Sequence, residues 1–147
     1  MPTHAEKRRL PYSADQLYAL VADVESYPKF LPWCVAARVR HRHQEGDKTT
    51  ELSDLVIGFK MLREKFTSKV TLGQGRIDVE YIEGPFKYLT NHWIFEAQED
   101  GSCVIDFMVD FEFRSKLLQH MMGALFNEAV KVMVGAFERR AAAIYGS

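Results

Sequence analysis

The chain is poor in cysteine, in charge of one sign and in long apolar runs, and each shortage removes a class of protein. Only two cysteines occur in 147 residues, Cys34 and Cys103. They form no CxxC or metal-type spacing, so neither a disulfide framework nor a zinc site is expected, and a reducing compartment is. Nineteen basic residues face twenty acidic ones, a balance that steers the molecule as a whole toward neither nucleic acid nor membrane. No stretch reaches the ~18 uncharged apolar residues of a spanning helix, and no apolar run follows the basic residues near the start. The expectation is a protein neither exported nor integral to a membrane.

Catalytic signatures are missing as well. There is no GxSxG elbow, P-loop or dinucleotide fingerprint, and Gly73-Gln74-Gly75 reads as a hairpin turn. His41 and His43 would share one face of a strand, but no third or fourth ligand accompanies them, so no metal is expected. His92 and His120 read as outward-facing. Asp106, Asp110 and Glu112 alternate with apolar residues and belong on a solvated face, not in a catalytic pair. Asp54 and Glu64 lie where the strand register is ambiguous; burial of either in a cavity would restore an acid–base role. No catalytic residue and no cofactor are assigned.

What remains is a single domain, residues 1–147, of which about 68–70% of the unfolded surface can be buried. Two basic clusters stand out locally, Lys7, Arg8 and Arg9, then Arg38, Arg40, His41, Arg42 and His43. They read as solvated strand faces, with a phosphate-contacting surface as the sharper alternative. Residues 3–10 suit an edge strand. Ser13, with Gln16 three residues on, opens a capping-box helix carrying Leu17, Leu20, Val21 and Val24. Two prolines then break the segment Tyr27 to Cys34, whose large apolar side chains still demand burial, so it should plug one end of the core.

From Val35 to Phe113 the hydrophobic period is two, interrupted at 45–47, Gly58, 73–75, 83–85 and 99–101, which gives about six strands joined by hairpins. Cys103, Ile105, Phe107, Val109, Phe111 and Phe113 face one way in the clearest of them. The last segment, Ser115 to Tyr145, is helical, about 45 Å long at ~1.5 Å per residue. Its expected apolar stripe is Leu118, Met122, Leu125, Ala129, Val132, Met133 and Ala136. A sheet apolar on one face needs such a cover, and the architecture expected is α+β, a strand, two short helices, six strands and a long helix. The methionines Met121, Met122 and Met133 suit a surface that accommodates a variable apolar ligand, because methionine repacks easily.

The segments PYSADQLYALVADVESYPKFLPWC (11–34), GFKMLREKFTSKVTL (58–72), GPFKYLTNHWIF (84–95), DFEFRSKLL (110–118) and AFERRAAAIYG (136–146) together resemble the coenzyme Q-binding START-domain family. It lies within the polyketide cyclase/dehydrase-like superfamily, and the resemblance runs the length of the chain in the same order. It implies a helix-grip fold, in which a curved antiparallel sheet of about six to seven strands holds the C-terminal helix and leaves a hydrophobic tunnel. It also implies a non-enzymatic role, binding ubiquinone or a related isoprenoid quinone as a chaperone or carrier in cellular respiration. The expected place is the bacterial cytoplasm or the periphery of the inner membrane, with transient contact to the membrane surface and none to DNA. Some bacterial relatives are labelled ribosome-association toxins, so binding to the large ribosomal subunit is the alternative.

In that reading the isoprenoid tail lies against Phe66 and Val70, against Trp93 and Phe95, and against Phe107, Val109 and Phe111. Met122, Leu125 and Met133 of the helix form the opposite wall. Ser68, Tyr81 and Asn91 are the inward polar candidates for the quinone head. Tyr27, Phe30, Leu31 and Trp33 are candidates for a gate, with a fixed lid as the alternative.

Overall fold

The computed structural model describes residues 3–31, 33–59 and 62–146, with side chains for all of these except Thr3, Phe59, Leu62 and residues 121–129. The chain opens with β1 (Thr3–Leu10) and then a helix, α1 (Ala14–Ala22). Ser13 starts α1 by the reciprocal cap its sequence promises. Its hydroxyl accepts from the Gln16 N–H at 3.1 Å, and the Gln16 side chain accepts from the Ser13 N–H at 3.0 Å. A 3-10 turn (Val24–Lys29) holds Pro28 and leads into the plug.

Six strands follow as a meander: β2 (Cys34–Glu45), β3 (Lys48–Phe59), β4 (Leu62–Gly73), β5 (Arg76–Glu83), β6 (Phe86–Ala97) and β7 (Cys103–Phe113). β1 adds to β7, so the sheet order is β1-β7-β6-β5-β4-β3-β2, with every pairing antiparallel. β1 and β2 thus occupy opposite edges although only α1 and the plug separate them in sequence. That connection has to cross the whole sheet, and in crossing it covers part of one face. Register shifts in β2, at Thr67/Ser68 and at Phe86/Tyr88 bend strands locally, as bulges do.

The long helix, α2 (Lys116–Tyr145), begins at Ser115, whose hydroxyl accepts from the Leu118 N–H at 3.2 Å. Val130, Ala136, Phe137 and Ala141 bury its inner side against Trp93, Phe107 and the α1 residues Leu17, Leu20 and Val21. Tyr145 donates a hydrogen bond to the Gln16 carbonyl at 3.0 Å and Tyr18 donates to the Gly73 carbonyl at 2.7 Å, tying α2 to α1 and α1 to the sheet. Val132, expected on the apolar stripe, is exposed instead. It stands two residues from buried Val130, about 200° round the helix, and the inner face is set by Val130 and Phe137, which the expected stripe omitted. The side chains of Met121, Met122, Leu125 and Ala129 lie outside the described residues.

The strand break expected at Gly58 is not there. β3 runs on to Phe59, and glycine serves a close approach, since a Cβ at Gly58 would sit 2.7 Å from Val35 Cγ2. Asp54 is buried, but on the convex face away from α2. It accepts from the Thr67 hydroxyl at 2.6 Å and pairs with Arg40 at 2.8 Å and Arg38 at 3.3 Å. The condition for an acid–base role, burial in a cavity, is therefore not met by Asp54.

Candidate ligand cavity

The sheet's concave face and α2 do not close on each other completely. Between them lies a cavity of about 320 Å³, at the lower end of the ~300–1,000 Å³ usual for small-molecule sites. Strand alternation places its walls. β3 contributes Ser53, Leu55 and Ile57; β4 contributes Glu64, Phe66, Ser68 and Val70; β5 contributes Ile77 and Val79. Leu89, Asn91 and Trp93 of β6 and Phe107, Val109, Phe111 and Phe113 of β7 continue the same face. α2 supplies Leu118, Val130, Met133 and Phe137, and the α1-to-plug segment supplies Val21, Val24, Tyr27, Leu31, Trp33 and Cys34.

Of the apolar wall residues expected from sequence, Phe66, Val70, Trp93, Phe107, Val109, Phe111 and Met133 line this space. Phe95 does not; it is buried beyond the cavity, with its ring 5.5 Å from that of Tyr18 under α1. Met122 and Leu125 fall among the side chains outside the description. In the plug, Tyr27, Leu31 and Trp33 line the cavity, whereas Phe30 packs on Phe137 at 5.1 Å between centroids and has the Arg140 guanidinium over its ring, 5.4 Å from the centroid.

The three polar candidates separate according to how their hydrogen-bonding groups are used. Asn91 lines the cavity with both ends engaged: its amide donates to the Met108 carbonyl at 2.7 Å and its oxygen accepts from the Trp93 indole at 3.1 Å. Tyr81 is not among the lining residues, and its hydroxyl accepts from the Phe86 N–H at 3.1 Å. Ser68 lines the cavity, is 3% exposed, and its hydroxyl has no hydrogen-bond partner among the described residues. Directly opposite it in the β3–β4 register stands Ser53, 2% exposed and also unpartnered. Burying a hydroxyl without a partner costs about 1–3 kcal/mol, so two of them facing each other on an apolar wall is a costly arrangement.

Sequence reading missed Ser53 because it put the break at Gly58. Phe59 pairs with Leu62, so opposed positions sum to a constant, and Ser53 falls opposite Ser68 just as Asp54 falls opposite Thr67. One inward position before Ser53 on β3, Glu51 is 1% exposed; one carboxylate oxygen accepts from Arg42 at 2.6 Å and the other has no partner among the described residues.

Among the described lining residues the titratable ones are Tyr27, Cys34 and Glu64, the last half-buried, so of the two carboxylates singled out in the sequence it is Glu64 that reaches the cavity. Its described lining contains no histidine. Burial pushes the Cys34 thiol up to about 11, so it is neutral and a poor nucleophile at ordinary pH. Tyr27 is also raised, by burial first and then by nearby Cys34, Asp23 and Glu51. No group of three or more His, Cys, Asp or Glu among the described residues could hold a metal ion.

Known proteins give this geometry a context. The family model for polyketide cyclase / dehydrase and lipid transport matches residues 10–138. The ribosome association toxin RatA of Rickettsia prowazekii is 39% identical over 137 residues, 90% of each chain. The mitochondrial coenzyme Q-binding protein COQ10 homolog B of Xenopus laevis is 34% identical over 148 residues, spanning 97% of this chain and 59% of that longer protein. The solution structure of the 18 kDa protein CC1736 from Caulobacter crescentus matches with a TM-score of 0.82 at 37% identity, over 100% of both chains. A START superfamily protein from Mycobacterium smegmatis shares the fold at a TM-score of 0.82 and 17% identity, over 97% of this chain and 98% of its own. A curved seven-stranded antiparallel sheet gripping a C-terminal helix is the START-like helix-grip fold, and the chain belongs to the polyketide cyclase/dehydrase and lipid transport family.

Proposed function

We propose that the cavity binds ubiquinone or a related isoprenoid quinone, and that the protein holds or carries this lipid in support of respiratory electron transport without catalysing a reaction. The observation that carries the reading is the cavity itself, an aromatic and aliphatic space with a few inward polar groups between the sheet and α2. The name of the Xenopus relative, a coenzyme Q-binding protein, supports the choice of quinone. About 320 Å³ suits a quinone ring and the start of its tail; each further CH₂ buried along the apolar wall adds about 0.8 kcal/mol. No helix among the described residues is long and apolar enough to cross a membrane; in this proposal the lipid is collected at a membrane surface. Extracting freshly purified protein with organic solvent tests this: a quinone absorbance that bleaches on borohydride reduction is expected, and an extract without a quinone speaks against it.

A second reading has its own support. The relatives at 34–39% identity include several ribosome association toxins, and β2, an edge strand, is exposed from Arg40 through Glu45 with His41, Arg42 and His43 on it. Arg38, Arg40 and Arg42 are, however, already paired with Asp54 and Glu51, which lowers the charge left for phosphate. Co-sedimentation with ribosomes over a salt series separates the readings; binding to the large subunit that weakens steeply with salt would favour the second.

A further inference from the structure

We propose that Ser53 and Ser68 form the polar anchor of the cavity, a paired hydroxyl site that selects ligands carrying an acceptor oxygen, such as a quinone carbonyl, on an apolar body. The inference rests on the ligand-binding reading above and specifies where and how the ligand's head is held. Four buried side-chain polar atoms lack a hydrogen-bond partner among the described residues, and two of them are these hydroxyls. They stand directly opposite each other on β3 and β4, both line the cavity, and they are 2% and 3% exposed. A third such atom, Glu51 Oε1, belongs to the residue two before Ser53 on β3. Three of the four unsatisfied atoms thus lie on the β3–β4 pair, and the two hydroxyls among them face the cavity.

The backbone points the same way. The β4–β5 register shifts between Thr67 and Ser68, so that Thr67 pairs with Glu83 and Ser68 with Tyr81. Bulges of this kind re-aim side chains and recur beside functional sites. The surrounding wall residues Leu55, Phe66 and Val70 on the same two strands carry no side-chain donor or acceptor, and the lining carboxylate Glu64 is four residues from Ser68 along β4. Two hydroxyl donors facing each other match the two lone pairs of a single carbonyl oxygen. Asn91, whose donor and acceptor are both engaged within the sheet, is left to hold the Trp93 ring in place.

The test compares two probes with the same ten-carbon tail, decylubiquinone and phenyldecane, the second lacking head oxygens. Each is titrated against a bound apolar fluorophore in the native protein, Ser53→Ala, Ser68→Ala and the double variant. The expected result is a preference of the native protein for decylubiquinone that falls about 10- to 100-fold in the double variant, while phenyldecane affinity changes by less than about twofold. Unchanged phenyldecane binding also certifies that the variant is folded. Equal changes for the two probes, or none for either, would overturn the anchor and leave the cavity's role standing. Failure of the native protein to bind either probe would overturn both.

Discussion

The rings of Tyr27 and Phe137 meet edge to face, 5.4 Å between centroids and 89° between planes, and this contact fastens the plug to the C-terminal half of α2. Phe30 joins it, 5.9 Å from Tyr27 and 5.1 Å from Phe137, and the Tyr27 hydroxyl donates to the Val21 carbonyl at the end of α1. Tyr27 and Phe30, both partly buried, thereby pack against the core.

Removing the shared ring tests that arrangement. Phe137→Ala deletes a 6%-exposed side chain that also packs on Trp93 at 5.2 Å. A cost of about 3–5 kcal/mol is expected, read as a fall in melting temperature on the order of 10 °C in thermal circular dichroism. A fall of only a degree or two would mean that the plug and α2 are held elsewhere.

Filling the cavity should separate binding from stability. Val109 lines it and is half-buried, so Val109→Phe adds bulk where the ligand would lie without adding charge. Ligand stoichiometry should drop while the melting temperature of lipid-free protein holds or rises, because empty space is replaced by contacts. Full ligand retention would place the bound lipid away from β7.

Asp54 should govern part of the acid sensitivity. Burial alone would raise its pKa, but the Thr67 hydroxyl together with Arg38, Arg40 and Lys65 outweighs burial and holds the carboxyl below its usual range. A folded-state pKa below the unfolded one, ~3.9, gives stability that is complete above the unfolded value and lost as pH falls through the folded one. Asp54→Asn should therefore lower the urea midpoint at pH 7, and the gap from the native protein should shrink below pH 4. A gap independent of pH would assign Asp54 a packing role only.

Cys34 gives a reactivity prediction. With its thiol pushed up to about 11 by burial, alkylation by N-ethylmaleimide should be slow at pH 8 and rise about tenfold per pH unit while the thiolate fraction grows. Peptide mapping distinguishes it from Cys103, also buried and also raised by burial. A rate that levels off near pH 9 would contradict the buried placement.

Much of the fold was legible because local signals agreed with the global arrangement. The Ser13–Gln16 box, the alternation of Cys103 to Phe113 and the Ser115 cap each specify an element on their own, and each formed. Register was less legible, since a shift of the β3–β4 turn by two residues changes which side chains oppose each other without changing the alternation. That is why Ser68 was visible as an inward polar residue while its partner Ser53 was not. It also explains Asp54, whose neighbours Arg38 and Arg40 arrive from β2 through a register shift between Val39 and His41. Phe95 illustrates a different limit: alternation gives the face of a strand but not the position along it where core ends and cavity begins. Val132 failed through phase, because a stripe drawn from the first turns of a thirty-residue helix drifts from the face that Val130 and Phe137 bury.

Native mass spectrometry of freshly purified protein tests the central claim most directly, run on the native chain beside Val70→Asp, with circular dichroism to establish that the variant is folded. Val70 lines the cavity and is 5% exposed, so a carboxylate there puts charge into the apolar space. The account predicts a native chain carrying a dissociable adduct of quinone mass, and a folded Val70→Asp variant without it. A native chain that is free of any adduct and takes up no added decylubiquinone would contradict it.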